Sequence, residues 1–514
     1  MASGYAVRPN QYYDSVFLMG VNQRLARHPG VRQTAVLMAS ENNKTLLTEI
    51  GIRGAEIEAA RASDLVVAVI AETPAIVEAV LGGLDEALQA VQESTPISEL
   101  HSLEDGLRAS PAANLALLTI PGGYVYREAR QALEAGLDLF VFSSNVPAED
   151  ELRLKQLARE RNLLLMGPDC GTSILNGVGL GFANVVRRGG IGAIGSSGTG
   201  LQEFTCQVHQ AGFGISHAIG TGSHDLSDDV GGITSLMALE RLETDPRTQV
   251  IALIAKPAGK ETRRRLLRRL EACGKPVVAC LLGSPTLQSP EEGGVFWART
   301  IDDAVDAAIH LSGGEQRPRP SPAGSAAPQA VEAIRAARNS EQRYLRGLFA
   351  GGTLCYQSQQ ILLDAGLTVY SNAPLDPQYR LGPFEPSRED TLIDMGDEAF
   401  TLGRLHPMID ATLRRQRILA EAADPAVAIL LLDFILGYNA APDPVGDLVE
   451  TVLEGRRLRP KSAGSLAVVA SVCGTDEDPQ DLERQTELLR QAGVLVFRSN
   501  AQATFFCRDQ LGAG

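Results

Sequence analysis

An internal repeat constrains this chain more than any other feature. Four landmarks occur in the middle third and recur in the same order in the C-terminal third. The first is a glycine turn that opens a helix. Gly198 and Thr199 begin one running to residues 211–212, and Gly351, Gly352 and Thr353 begin one running to 365–366. The second is the turn at 219–222, with Gly220 and Gly222, matched by LIDMGD at 392–397, with Gly396. The third is TDPRTQVI at 244–251, matched by ADPAVAIL at 423–430. The fourth is KPVVA at 275–279, matched by LAVVA at 466–470. Such an ordered series implies two similar α/β domains, each with a strand–glycine turn–helix element. Similar domains in one chain can pack about a pseudo-twofold axis, by analogy with the true axis of homodimers. That packing would aim two helix N-termini at one anion, because unsatisfied N–H groups and the macrodipole favour negative charge there.

The first repeat is the richer of the two. An apolar run at 191–194 suits a buried strand, GSSGTG follows at 195–200, and 201–210 is amphipathic. In such a turn backbone N–H groups converge and the hydroxyls of Ser196, Ser197 and Thr199 add donors. A second glycine turn at 220–225 allows both loops to border one pocket. The plainer alternative is two tight βα turns without a ligand. Neither GxxxxGK[ST] nor GxGxxG fits. Upstream, strands at 115–120, 137–142 and 163–166 alternate with helices at 126–136 and 148–161, which predicts a parallel sheet. Ligands of open sheets sit at the carboxyl ends of the strands, here 121–123, 143–145 and 167–172.

Residues 1–110 read as a small α+β unit, with strands at 31–38 and 65–70, helices at 15–28 and 74–91, and a linker at 101–113. No chemistry is evident there, and a packing or partner-docking role is expected. With 514 residues the chain exceeds what a single core usually serves. Its net charge of −15 argues against nucleic acid as a partner, although a nest of N–H groups can bind a small anion on an acidic protein. No apolar run reaches the length of a membrane span and the first fifteen residues lack a signal-peptide pattern, so a cytoplasmic location is expected. The 7 cysteines stand singly with no CxxC pair, so no metal site and no disulfide framework is indicated.

GPDCG at 167–171, followed by GSSGT at 195–199, GTG at 220–222 and TDP at 244–246, resembles the α subunit of succinyl-CoA synthetase. The C-terminal repeat, with DMG at 394–396 and FILG at 434–437, is similar to the carboxy-terminal domain of that enzyme's β subunit. RGLFAGGTLC at 346–355 and HPMID at 406–410 extend the likeness over essentially the whole chain to the FdrA family of acyl-CoA synthetase-like proteins. The resemblance implies tandem Rossmann-like or flavodoxin-like parallel-sheet domains of the succinyl-CoA synthetase type. The expected boundaries are 1–110 for the α+β domain, 111–186 for a CoA-binding-like Rossmann portion, 187–314 for the first repeat, 315–341 for a linker and 342–511 for the second repeat.

Three departures from succinyl-CoA synthetase bear on activity. The loop expected to carry that enzyme's phosphorylated histidine, 283–298, contains no histidine; residues 1–110 hold no CoA-binding glycine loop; and no ATP-grasp domain is visible. The FdrA likeness implies instead a subunit of an oxamate carbamoyltransferase of purine breakdown. That enzyme converts oxalurate and phosphate to oxamate and carbamoyl phosphate, together with two partner subunits and with a carbamate kinase downstream. Phosphate is then a substrate; CoA and ATP enter only under the alternative, an ADP-forming acyl-CoA synthetase. A non-catalytic scaffold subunit is the third reading.

For phosphate contact the expected residues are Ser196, Ser197, Gly198 and Thr199, with Gly351, Gly352 and Thr353 as their repeat partners. Gly220, Gly222 and Gly396 would let backbone approach the ligand. Lys256, ending a strand, would polarise a carbonyl or else is a surface lysine. His224 and His406 are expected to transfer protons or to be structural. Asp397 and Glu398 would repel phosphate unless they point away or hold something else. Cys170 has either a lowered pKa near a helix start or is a buried inert thiol, Cys355 is of the same kind, and Trp297 reads as core.

Overall fold

The computed structural model describes all residues except 1, 12, 14, 50, 94–99, 284–290, 293, 315–338, 340, 402–403, 461–462 and 512–514. The expected linker thus lies almost wholly outside the described residues, as does part of the loop without histidine. The chain divides into two compact units, one of residues 1–111 with 402–405, the other of 112–401 with 406–514.

In the first unit an all-apolar strand, Leu65–Ala71, lies between Ala2–Arg8 and Val31–Met38, antiparallel to both. Alternate residues of that strand enter two separate apolar clusters, so it is buried on both faces, which is why it lacks polar alternation. The single helix expected at 74–91 is two, Pro74–Gly82 and Leu84–Glu93, separated at Gly83. Part of the expected linker is the helix Leu103–Ala109, whose first turn is capped by Ser102 Oγ accepting from the Asp105 N–H.

The second unit is α/β with parallel sheets. The first repeat's strands are Arg188–Gly195, Ile215–Gly220, Val250–Ala255, Val277–Leu281 and Val295–Trp297; the second's are Tyr344–Phe349, Thr391–Asp394, Val427–Ile435, Ala467–Cys473 and Leu495–Phe497. Numbered within each repeat, both sets stand in the order 2-1-3-4-5 and every pairing among them is parallel. In this order the switch point lies beside strand 1, so the helix following strand 1 starts where such sheets bind ligands. Residues Leu115–Leu118, Asp138–Val141 and Leu165–Met166 form a separate three-stranded parallel sheet. The hairpin Thr172–Leu175 and Val178–Gly181, which precedes the expected boundary at 186, joins the first repeat's sheet by antiparallel pairing to Ile215–Gly220.

Helices Gly198–Gln210, Ile301–Leu311, Gly352–Asp364 and Asn500–Leu511 contribute to one apolar cluster shared by both repeats. A reciprocal pair of polar contacts fixes their relation. Glu203 Oε1 accepts from the N–H of Asn500, which starts the second repeat's last helix. Gln357 Oε1 accepts from the N–H of Ile301, which starts the first repeat's last helix. Glu203 and Gln357 occupy the same position in their own helices, so each repeat caps the other. This is the pseudo-twofold relation the repeat implies. Burial and then Asp302 push the Glu203 carboxyl up to about 7.

Candidate functional site

The cross-capped helices begin side by side. A Cβ on Gly200 would lie 2.8 Å from Thr353 Cγ2, so the first turn of one helix rests on that of the other. The N-caps Ser197 and Gly351 provide no side-chain cap, which leaves first-turn N–H groups without the partner a helix start normally finds. Thr199 Oγ1 and Thr353 Oγ1, both buried, have no hydrogen-bond partner either. Buried hydroxyls are rarely left so, and two orphans at two adjoining helix starts form a donor cluster suited to an oxyanion.

Lys256 follows the strand Val250–Ala255 and faces this cluster. Its Nζ stands 2.9 Å, and Asp394 Oδ2 2.5 Å, from the position a Cβ on Gly352 would take. Any side chain there would displace one of them, so the glycine keeps the second helix start open toward the ammonium. Lys256 makes no ion pair within 4.0 Å among the described residues. Burial works against its charge, but Asp394, Tyr356, Asp169 and Asp397 together hold its pKa above the ordinary value. These neighbours favour the ammonium form, which suits Lys256 to donate hydrogen bonds rather than to act as a general base. Tyr356 lies beneath it, ring centroid 5.3 Å from Nζ.

Carboxylates form the opposite pole. Burial pushes Asp394 up to about 6 despite Lys256, with Asp397 adding to the shift. Burial also raises Asp169, against a hydrogen bond from Ser223 and the charges of Lys256 and His224. Glu398 is raised by burial and then by Asp169. Asp397 accepts from the Ala399 N–H at 3.0 Å. These acids come from the carboxyl ends of two strands, Leu165–Met166 and Thr391–Asp394, and all act on the one Lys256 ammonium.

The remaining expected site residues are disposed differently. The Gly351 N–H donates to Asp433 Oδ2 at 2.7 Å, and the Ala350 N–H to its Oδ1, so this part of the second turn is closed to a ligand. Asp433 is itself held by buried Arg414 at 2.8 Å. Ser196 is buried, its Oγ accepting from the Lys256 N–H at 3.4 Å. Gly222 has φ +89°, and a Cβ there would meet Pro168 O at 2.3 Å. At Gly220 the obstacle is Thr172 O at 2.2 Å and at Gly396 it is Ala350 O at 2.7 Å, so close approach of the chain to itself explains these glycines. His224 is exposed, its Nδ1 3.8 Å from Glu151 Oε2 at the edge of a buried Lys155–Glu151–Asp225 cluster. Burial pushes Cys170 up to about 12 and also raises Cys355, so both are inert thiols. Trp297 lies at the end of a strand, packed against the first repeat's core.

Among the described residues one group has metal-ligand spacing, His209 with Asp476 and Glu477. His209 Nδ1 accepts from the Arg187 N–H at 3.1 Å, which puts the neutral ring's proton on Nε2, bound to Asp476 Oδ1 at 2.6 Å. A metal on Nε2 would have to strip that proton, so the group reads as a hydrogen-bonded pair.

This architecture, with parallel sheets in strand order 2-1-3-4-5 and two helix starts at one site, is that of an acyl-CoA synthetase-like protein, and residues 348–507 match the CoA-ligase family model. The chain belongs to the family of the Escherichia coli K12 uncharacterized protein YahF, to which it is 40% identical over 515 residues, 100% of this chain and 99% of that protein. The succinate–CoA ligase [ADP-forming] subunit alpha of Methanothermobacter thermautotrophicus is 28% identical over 229 residues, 42% of this chain and 76% of that protein. The apo dinucleotide-forming acetyl-coenzyme A synthetase 1 of Ca. Korarchaeum cryptofilum is 17% identical with a TM-score of 0.35, covering 82% of this chain and 89% of that one. Residues 1–101 match a model described as AllF, heavy metal-associated domain. No cysteine precedes Cys170, so that segment lacks the thiolates a soft metal takes.

Among the described residues no helix is long and apolar enough to cross a membrane.

Proposed function

We propose that this chain is the phosphate-handling subunit of a carbamoyltransferase built on the acyl-CoA synthetase-like fold, the FdrA type, acting on oxalurate and phosphate. The observation that carries the reading is the two-sided charge of the site. Orphan threonine hydroxyls, two helix starts and Lys256 form a donor side, and Asp169, Asp394 and Asp397 form an acceptor side. Phosphate or an acyl carboxylate satisfies the donor side only. A carbamoyl group satisfies both, because its oxygen accepts and its NH2 donates.

In this reading phosphate rests on the helix starts beside Thr199 and Thr353. Its oxygen attacks the carbamoyl carbon, the C–N bond to the oxamate nitrogen breaks, and that nitrogen takes up a proton as oxamate leaves. Helix N–H groups and the Lys256 ammonium stabilise the charge that develops on the carbonyl oxygen. None of these steps requires a phosphorylated histidine, in keeping with the histidine-free sequence at 283–298. In this reading the chain works with two partner subunits and a downstream carbamate kinase.

ADP-forming acyl-CoA ligation is the second reading, favoured by the names of the relatives. It needs the missing histidine, the CoA loop and the nucleotide domain from partner chains. Phosphorus NMR separates the two readings. The chain purified with its native partners receives oxalurate and phosphate in one tube and ATP, CoA and succinate in another. A carbamoyl phosphate resonance in the first tube, lost in Gly198→Asp, supports the transferase. ADP and acyl-CoA in the second tube alone overturn it in favour of the ligase.

A further inference from the structure

We propose that His406 is a neutral hydrogen-bond donor to the carbonyl oxygen of the group being transferred, acting through Nε2–H; this rests on the reading that the site handles an acyl or carbamoyl phosphate. The ring's protonation is fixed by its neighbours. Nδ1 accepts from the Met408 N–H at 3.2 Å, so the neutral ring must carry its proton on Nε2. The main chain beneath is held in place, since the His406 carbonyl accepts from the Ile409 and Asp410 N–H groups at 2.8 and 3.0 Å.

Nε2 faces the turn that bears the site's carboxylates. It lies 2.9 Å from the position a Cβ on Gly396 would take, and the Gly396 N–H is bound to Asp394 Oδ1 at 3.0 Å. On its other side the ring rests on Phe182, centroids 5.6 Å apart. The Phe182 N–H is bound to Gly171 O, and Gly171 Cα is 3.2 Å from where a Cβ on Gly198 would stand. An unbroken series of contacts therefore joins the ring to the first helix start on one side and to Asp394 on the other. Nε2 has no hydrogen-bond partner among the described residues.

Such a group is a poor proton acceptor at neutral pH. Burial, then Arg414 and Lys256, lowers His406 to about 4, which keeps it uncharged throughout the physiological range. A neutral donor fixed in place stabilises a developing oxyanion without leaving a buried cation when the site is empty. In the proposed role this histidine is an electrophile, in place of the proton transfer or structural role expected from the sequence.

The test uses the full chain with nitrogen-15-labelled histidine, observed by NMR. The His406 signals should show an Nε2–H ring that does not titrate between about pH 5.5 and 8. Carbamoyl phosphate or acetyl phosphate should move the Nε2 signal more than inorganic phosphate does. His406→Phe, which keeps the ring on Phe182, should bind either acyl phosphate roughly 10- to 100-fold more weakly and inorganic phosphate within about 2-fold of the native chain. His406→Gln should recover most of the loss, because its amide restores a neutral donor; melting curves for both variants confirm folding. An Nδ1–H ring, a titration near the ordinary value, or unchanged acyl phosphate binding by His406→Phe would overturn the proposal. If acetyl phosphate moves the ring but carbamoyl phosphate does not bind, the donor stands and the carbamoyl reading falls.

Discussion

Replacing Thr199 and Thr353 by valine should shift stability and ligand affinity in opposite directions. Valine keeps the branched shape and replaces only the hydroxyl, and both hydroxyls are buried without a partner. In the empty protein each carries an uncompensated desolvation cost, so each substitution should be neutral or stabilising by up to about 1–3 kcal/mol. The melting temperature of the empty protein should therefore hold or rise by a few degrees. With phosphate bound, each hydroxyl should form a hydrogen bond to a charged oxygen worth about 1.5–3 kcal/mol. Losing one should weaken binding roughly 10- to 150-fold. Isothermal calorimetry with inorganic phosphate and thermal melts with and without it measure both quantities on the same samples. An ordinary structural threonine gives the reverse, lower stability with unchanged affinity. Loss of about 1 kcal/mol in the empty state at constant phosphate affinity would refute the inference that these hydroxyls await an anion.

Two further substitutions probe how the repeats hold the site. Gly200→Ala gains about 1 kcal/mol of helix propensity but sets a Cβ 2.8 Å from Thr353 Cγ2 and 3.2 Å from Ile254 Cγ2, so overpacking should win by about 1–2 kcal/mol. Urea unfolding should show the loss and calorimetry a weakened phosphate site; a more stable variant with native binding would refute the close approach. Glu203 is raised from its ordinary 4.5 to about 7, so the folded state binds the extra proton, and the stability it contributes below about pH 4.5 is lost as pH rises through 7. The loss is on the order of 3 kcal/mol. Glu203→Gln should remove that part of the decline and leave the smaller part set by Asp394, because Gln357 already makes the equivalent cap in the other repeat. An unaltered pH dependence of the urea midpoint would sink this assignment.

What the sequence disclosed was whatever depends on order along the chain. Glycine turns at matched distances, apolar runs and the two Asp-Pro corners are local patterns, and they locate strand 1 and its helix in both repeats. The hairpin Thr172–Leu175 and Val178–Gly181 also had a local signal, Asn176 followed by Gly177, both with positive φ and suited to a two-residue turn. Ala2–Arg8 had none, since its few apolar residues do not alternate, and only Leu65–Ala71 beside it makes it a strand. Asp169 and Asp394 were legible as residues at strand ends but not as neighbours, because they come from different sheets and no spacing records their meeting. Asp433 was less legible still: its role is to close the Ala350 and Gly351 amides, which a glycine-rich sequence presents as open.

That closure bears on how a duplicated fold yields a two-sided site. If both glycine turns were equally open, two like anion nests would face each other and the site would suit a single symmetric anion. Here the second turn is bound by Asp433, and the end of its neighbouring strand carries Asp394 where the first repeat has Gly220, with Asp397 following the matched Gly396. The helix starts remain equivalent because Glu203 and Gln357 cap reciprocally, and the shared core leaves no room to move one without the other. The loops beyond them are under no such constraint. Divergence is thus confined to the groups facing the ligand, and it changes one half from donor to acceptor while both helix dipoles stay aimed at the same point. A substrate whose donor and acceptor sit on one carbon, as in a carbamoyl group, fits that arrangement better than a symmetric anion.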